Sequence, residues 1–281
     1  MNRTLIGLCS LSLVFAASCG GGGSEAPPKP KPSGGNSAPA ETAKNDSKPA
    51  DAGKSEQKAA PKGGKQDWAD SMGTTTVSGK VAFNGQAPTP KSFKMDSDPV
   101  CNAMGEGTEE TVIVNSGGLA NVVVSVSKGL DGYKFAKGSG KVTIDQKGCK
   151  YIPHVVAMQA GQTLSISNSD DTVHNVHSYS KRNQAFNQAQ PAGAGAIEKE
   201  MKRKDKMFSI KCDMHSWMGC QVAVFDHPFF TVSDDQGNFS LPMLPAGTYT
   251  LTAEHETLGK QETEITVPAT GTANAEFTFG M

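Results

Sequence analysis

The stretch that decides the fold is Phe208-Ser-Ile-Lys-Cys-Asp-Met-His-Ser-Trp-Met218, in which a strand pattern runs into a loop of metal-binding side chains. Phe208, Ile210 and Cys212 alternate along the chain, which predicts a β-strand that turns these side chains toward a core. His215 and Met218 follow at intervals of three residues, before another apolar run. The sequence therefore predicts a hairpin whose loop brings a thiol, an imidazole and a thioether to one point.

A second imidazole, that of His174, comes from a distant upstream loop. One thiolate, two imidazoles and a thioether are the donor set of blue-copper electron-transfer sites, where Met is the weak axial ligand. The candidate metal ligands are therefore His174, Cys212, His215 and Met218. Cys220 is an alternative fourth ligand. A second thiolate at that position would favour zinc or an altered copper site. We prefer Met218.

Residues from about 149 to 225 resemble a cupredoxin of the plastocyanin–amicyanin kind. The positions that carry the resemblance are Tyr151-x-Pro153, Gly161, Asn168-x-Asp170, His174-Asn-Val and the short C-x-x-H-x-x-M loop. The resemblance implies a Greek-key sandwich with one type 1 copper held by the four candidate ligands. It also implies that Asn175 joins the two ligand loops by a hydrogen bond. The implied function is electron transfer with transient redox protein partners.

The sequence around the thiol does not favour an enzyme. In enzymes that relay electrons from the cysteine to another copper, histidines flank the cysteine, whereas Lys211 and Asp213 flank Cys212 here. No Ser-His-Asp or paired-carboxylate spacing stands out either. We therefore predict no enzymatic activity and no small-molecule substrate.

Beyond Gly73 the chain has the pattern of an all-β protein. Short runs rich in β-branched residues are separated by turn signals such as Asn84-Gly85 and Pro245-Ala-Gly247, which favours sandwiches. The only weakly helical stretch is 194–206. The composition and the formal net charge of −1 give no reason to expect a nucleic acid partner.

Residues 231–251 resemble the carboxypeptidase regulatory-like (transthyretin-like) module, through D-x-x-G-x-F-x-L followed by L-x-x-G-x-Y-x-L. The usual G-x-V opening is missing directly upstream, but Gly79-Lys-Val81 matches it far earlier in the chain. We therefore expect either a split module with a second domain inserted, or two adjacent domains. The predicted domains are 73–139 (first part of the β-module), 140–228 (cupredoxin-like) and 229–281 (carboxypeptidase regulatory-like).

The N-terminus predicts export and a lipid anchor. Residues 1–18 have the pattern of a bacterial lipoprotein signal peptide, whose apolar run is too short to span a membrane, and Cys19 is the predicted lipidation site. An ordinary signal peptide is the alternative. Residues 19–72 predict a lipidated, disordered linker, because 20–66 contains no Val, Ile, Leu, Met or aromatic residue to bury. The expected location is the cell envelope, on the outer membrane or in the periplasm if the host has two membranes.

Three cysteines remain after removal of the signal peptide, lipidation of Cys19 and metal binding by Cys212. They are Cys101, Cys149 and Cys220, and an exported chain permits disulfides. We prefer a Cys101–Cys149 bridge as the candidate disulfide. The other pairings, or none, stay open.

Two further histidines have no assigned role. His177 follows His174 by three residues, and His154 follows Pro153, so either could bind a second metal or be an ordinary hydrogen-bonded imidazole. Apart from an electron carrier, two other functions stay open for the chain as a whole. They are a copper-binding delivery lipoprotein and a structural surface module without metal.

Overall fold

The computed structural model describes residues 64–280, and the predicted signal peptide, Cys19 and most of the predicted linker lie outside this range. The described residues are nearly all β, which confirms the predicted fold class. The helical segments described are α1 (Pro99–Asn102) and a 3-10 turn (Asp70–Met72). Within 64–280, no helix has the length and apolar character needed to cross a membrane.

The strands of the described residues range in length from two to ten residues. In chain order they are β1 (Gln66–Asp67), β2 (Thr75–Asn84), β3 (Ser92–Lys94), β4 (Glu106–Thr108), β5 (Val114–Asn115), β6 (Gly118–Leu119), β7 (Val123–Lys128), β8 (Tyr133–Lys134), β9 (Lys141–Gln146), β10 (Tyr151–Ile152), β11 (Val155–Gln159), β12 (Thr163–Asn168), β13 (His174–Ser178), β14 (Asn187–Gln190), β15 (Ile197–Glu200), β16 (Asp205–Lys211), β17 (Gly219–Phe225), β18 (Phe230–Val232), β19 (Asn238–Leu244), β20 (Gly247–His255), β21 (Gly259–Val267) and β22 (Thr272–Gly280).

Strands β9 to β17 form what we call the central sandwich. One sheet has the order β10-β9-β12-β15 and the other β11-β17-β16-β13-β14. Its core contains Ile144, Leu164, Ile210 and Val222, which are fully buried. Alternating side chains from the two sheets meet in this core, as expected for face-to-face packing.

The flanking sandwich is built from strands on both sides of the central one. Its sheets have the orders β18-β7-β20-β21 and β19-β2-β6-β5, with β22 also paired to β2. Thus β2, before the central sandwich, lies between β19 and β22, which come after it. The domain boundaries 73–139, 140–228 and 229–281 stay predictions, but this pairing shows that the flanking segments share one sheet.

Gly79 allows β2 and β22 to approach closely. A Cβ at Gly79 would lie 1.7 Å from the Ala275 carbonyl oxygen and 2.7 Å from the Phe239 ring. Only glycine fits between these groups without a backbone shift. The glycine of the G-x-V signal is therefore explained by packing against strands from the far end of the chain.

The predicted weakly helical stretch 194–206 is wrong. The structure has β15 at Ile197–Glu200, which pairs with β12, and β16 begins at Asp205. Ile197 and Met201 are buried while the polar residues around them face solvent. Because those two side chains pack into the central core, sheet pairing prevails over the weak helical preference of this segment.

Candidate metal centre

Three of the four predicted ligands meet at one end of the central sandwich. His174 begins β13, Cys212 directly follows β16, and His215 lies in the loop before β17. The Nδ1 atoms of the two histidines are 2.9 Å apart, and the Cys212 Sγ lies 3.7 Å from Nδ1 of His215. One donor atom from each residue lies within 4.8 Å of the other two, and all three side chains are buried.

The strand and loop pattern explains why these groups converge. Phe208, Ile210 and Cys212 are buried in alternation, so the thiol points into the core at the end of the strand. The loop is closed by two backbone hydrogen bonds. The Cys212 N–H donates to the Met218 carbonyl at 3.2 Å, and the Met218 N–H donates to the His215 carbonyl at 2.9 Å.

The electrostatics of the three groups favour a bound cation. Burial raises the pKa of the Cys212 thiol, but hydrogen bonds from His174 and the Asn175 N–H outweigh it and lower the pKa overall. Burial lowers the pKa of His174, yet contacts with Cys212 and Asp170 raise it overall. Burial lowers the pKa of His215, as does the charge of His174. One thiol and two imidazoles are donors that fit a soft or borderline ion such as copper.

The two candidates for the fourth ligand lie in different surroundings. Met218 is buried in the same apolar cluster as Cys212 and belongs to the ligand loop. Cys220 lies within β17, opposite Ile210, and among the described residues it belongs to no cluster of metal donors. Burial raises the pKa of the Cys220 thiol, which disfavours the thiolate form that binds metals. Met218 stays the predicted fourth ligand.

Asn175 connects the two ligand-bearing segments. Its Oδ1 accepts a hydrogen bond from the Asp213 N–H at 2.6 Å, and its Nδ2 donates to Asn187 Oδ1 at 2.6 Å. Its own N–H points at the Cys212 Sγ at 3.5 Å. Asn175, which follows His174, is therefore hydrogen-bonded to Asp213 and contacts Cys212. These contacts fix the separation between the segment of His174 and the segment of Cys212.

Two carboxylates that the sequence interpretation left without a role lie beside the histidines. Asp170 is buried and contacts His174, and Asp98 lies near His215. Asp170 appeared in the sequence only as part of the Asn168-x-Asp170 resemblance. Asp98 precedes Pro99, and Asp before Pro is a typical start of a helix. Neither signal indicates a histidine partner.

A segment of the N-terminal half packs over this end of the sandwich. Cys101 in α1 and Cys149 before β10 form a disulfide. Phe93 stacks on Trp217 with ring centroids 6.2 Å apart, and Trp217 lies 5.1 Å from the His215 ring. His215 is consequently only 2 % exposed.

His154 and His177 have other partners. The His154 Nε2 is paired with Glu256 at 2.5 Å, at the contact between the two sandwiches. The His177 Nδ1 lies 3.0 Å from Asp213. Within residues 64–280, neither histidine belongs to a cluster of three metal donors.

Comparison with known proteins gives a match to one family model over part of the chain. The model of the carboxypeptidase regulatory-like domain matches residues 218–280, which run from the ligand loop through β22. This covers the region where the sequence resembles that module. No curated protein matches the chain.

Several solved copper proteins are similar to a part of the chain. A mutant of amicyanin in the Cu(I) form is 19% identical, with a TM-score of 0.27, over 30% of this chain and 81% of its own. A purple cupredoxin from Nitrosopumilus maritimus is 20% identical, with a TM-score of 0.26, over 30% of this chain and 98% of its own. A copper-containing nitrite reductase from Thermus scotoductus SA-01 is 16% identical, with a TM-score of 0.28, over 37% of this chain. This chain spans 25% of that nitrite reductase.

Proposed function

We propose that this protein is a type 1 copper protein that carries electrons in the cell envelope. The observation that supports the proposal is the convergence of one thiol and two imidazole Nδ1 atoms, from Cys212, His174 and His215, in a buried site. Met218, in the same loop, would complete the donor set. Bound copper would supply a centre that exchanges one electron at a time.

The protein's contribution is to hold the donors before the ion arrives. His174 is fixed by a strand, Cys212 by the end of the adjacent strand, and the loop to Met218 by backbone hydrogen bonds. Donors that are already in place need little rearrangement when the ion changes its charge, which favours fast electron exchange. Burial of the thiol, together with the Asn175 N–H at 3.5 Å, would tune the reduction potential.

The same burial favours a carrier over a delivery protein. A protein that hands copper to a partner needs exposed ligands that can be exchanged one at a time. Here His174, Cys212 and His215 are each 2 % exposed or less. We propose transient redox proteins as its partners, with no small-molecule substrate and no catalytic role of its own.

The proposal also includes the location. A lipid on Cys19 and the apolar-poor linker after it would keep the metal centre near a membrane and let it reach both a donor and an acceptor. Fractionation of cells that express the full chain tests this part. The wild type should be found in the membrane fraction, and Cys19→Ser should lose both the lipid and this location.

The copper site is tested by adding Cu(II) to the purified protein and recording the visible spectrum. We expect one copper per chain and an intense thiolate-to-copper band. Cys212→Ser should lose the band completely, whereas Cys220→Ser, a matched change at the other buried free cysteine, should retain it.

Two results would contradict the proposal in different ways. A wild-type protein that stays colourless and takes up no copper would indicate a structural surface module. A protein that binds copper but surrenders Cu(I) rapidly to a competing chelator would indicate delivery and not electron transfer.

A further inference from the structure

Each candidate histidine ligand has a carboxylate beside the ring nitrogen that faces away from the other donors. The His174 Nε2 lies 2.9 Å from Asp170 Oδ2, and its Nδ1 faces the centre. The His215 Nε2 lies 3.8 Å from Asp98 Oδ2, and its Nδ1 also faces the centre. The first contact is a hydrogen bond and the second is a close approach of two groups that can carry opposite charges.

Asp170 is held rigidly by the backbone. Its Oδ1 accepts a hydrogen bond from the Gly148 N–H at 2.7 Å, and its Oδ2 accepts one from the Cys149 N–H at 2.8 Å. Gly148 and Cys149 have φ angles of 66° and 56°, so the chain forms a left-handed turn here. Such a turn directs successive N–H groups toward one anion.

Asp98 is held in a similar way from the other side. Its Oδ1 caps α1 by accepting hydrogen bonds from the Val100 N–H at 2.8 Å and the Cys101 N–H at 3.0 Å. Its Oδ2 accepts a hydrogen bond from the Thr172 hydroxyl at 2.7 Å. This same Oδ2 is the oxygen that lies 3.8 Å from the His215 Nε2.

The disulfide joins the two carboxylate supports. Cys149 donates its N–H to Asp170, Cys101 donates its N–H to Asp98, and the two cysteines are cross-linked. The disulfide therefore links the backbone that supports the His174–Asp170 pair to the backbone that supports the His215–Asp98 pair. In addition, Thr172, which lies two residues after Asp170 in the chain, donates a hydrogen bond to Asp98.

We propose that Asp170 and Asp98 are positioning residues for the metal centre, which hold His174 and His215 with Nδ1 free for the ion. This inference rests on the proposed function, since it concerns the same site. A carboxylate on the second ring nitrogen of a ligand histidine keeps the proton there, fixes the orientation of the ring and increases its basicity. Asp170 has the stronger contact and therefore the larger effect.

The affinity for Cu(II), measured by competition with a chelator, tests Asp170. Asp170→Asn keeps the size and one acceptor oxygen but removes the charge, and we expect a 10–100-fold loss of affinity with an altered visible spectrum. The control is Asp171→Asn, which removes the same charge at the exposed neighbouring position and should leave both unchanged.

A parallel pair of variants tests Asp98. Asn caps helices about as well as Asp, so Asp98→Asn separates the carboxylate charge from the cap of α1. We expect a loss of Cu(II) affinity smaller than that of Asp170→Asn, because the contact with His215 is 3.8 Å. Asp96→Asn, at an exposed position on the same segment, is the control and should bind as the wild type does.

A measurement on the metal-free wild type needs no variant and no copper. Nitrogen-15 NMR at alkaline pH should show the His174 proton on Nε2, facing Asp170. A proton on Nδ1 would overturn the inference even if Asp170→Asn did not fold.

The outcomes separate this inference from the proposed function. If the wild type binds no copper, the proposed function is wrong and the tautomer alone decides the role of Asp170. If the wild type binds copper but Asp170→Asn and Asp98→Asn bind as tightly as their controls, the positioning role is wrong and the copper function stands.

Discussion

The two sandwiches have the same architecture but fill their interiors differently. The flanking sandwich packs aliphatic and aromatic side chains such as Val77, Leu251 and Phe277. The central sandwich has a comparable apolar core, but at one end it also buries Cys212 and His174. Within residues 64–280, every cluster of three metal donors lies at that end.

This difference separates what builds the fold from what builds the site. Apolar burial is non-directional, so many combinations of side chains can fill a sandwich. The metal donors depend instead on directional hydrogen bonds from Asp170, Asn175 and the backbone of the ligand loop. Changes in the flanking core should therefore affect stability, and changes around the donors should affect metal binding.

The largest expected effect is on stability, from Phe277→Ala in the flanking core. Phe277 is 3 % exposed and packs against Phe239. Its truncation should lower the free energy of unfolding by about 3–5 kcal/mol through lost burial and the cavity that remains. Denaturant titration measures this loss, and the copper affinity of the folded protein should not change. A folded variant with weakened copper binding would show that the core of the flanking sandwich also supports the metal centre.

Removal of the disulfide should affect both properties. Cys101 and Cys149 are separated by 48 residues, so their replacement by Ala should cost about 2–4 kcal/mol of stability, mainly through the unfolded state. Copper affinity should also fall, because the cross-link joins the supports of Asp98 and Asp170. Thermal unfolding and chelator competition measure the two losses. Lower stability with unchanged affinity would limit the disulfide to the fold.

Local patterns in the sequence predict the strands and the all-β class of this structure. Alternation through Phe208, Ile210 and Cys212 predicts a strand ending in a thiol, and turn signals predict an all-β chain, because both are local patterns. The G-x-V signal at Gly79 allowed either a split module or two adjacent domains, and the structure pairs the strand that carries it with β22. These features are encoded by periodicity and by a glycine that packing requires.

Other features depend on contacts that no local pattern records. The strand at Ile197–Glu200 forms because two buried side chains reach the central core, although its sequence is mostly polar. The histidine partner of Asp170 is only four residues further along the chain, whereas that of Asp98 is more than a hundred residues away. An aspartate before Pro or within a turn has a sufficient local explanation, so its second role is visible only in three dimensions.

The fourth ligand gives a smaller expected effect. Met218→Ala should shift the thiolate-to-copper band and weaken Cu(II) binding by roughly tenfold or less, because an axial thioether is a weak ligand. Cys220→Ala should leave the band unchanged, since this thiol is buried in β17 and its pKa is raised. Visible spectra of both variants decide the matter. A band that is unchanged in Met218→Ala and shifted or lost in Cys220→Ala would reverse the assignment.

The smallest expected effect concerns the ion pair between the sandwiches. Burial lowers the pKa of His154, but Glu256 raises it overall; burial raises the pKa of Glu256, but His154 lowers it overall. The contribution of His154 to stability is complete below its ordinary pKa of 6.5 and is lost as the pH rises through the raised value. The contribution of Glu256 to stability is complete above its ordinary pKa of 4.5 and is lost as the pH falls through the lowered value.

His154→Gln should therefore cost about 1 kcal/mol of stability near pH 5.5 and less at pH 9. A double-mutant cycle with Glu256→Gln, measured at both pH values, isolates the pair. Equal coupling at both would show that this contact between the sandwiches is a neutral hydrogen bond.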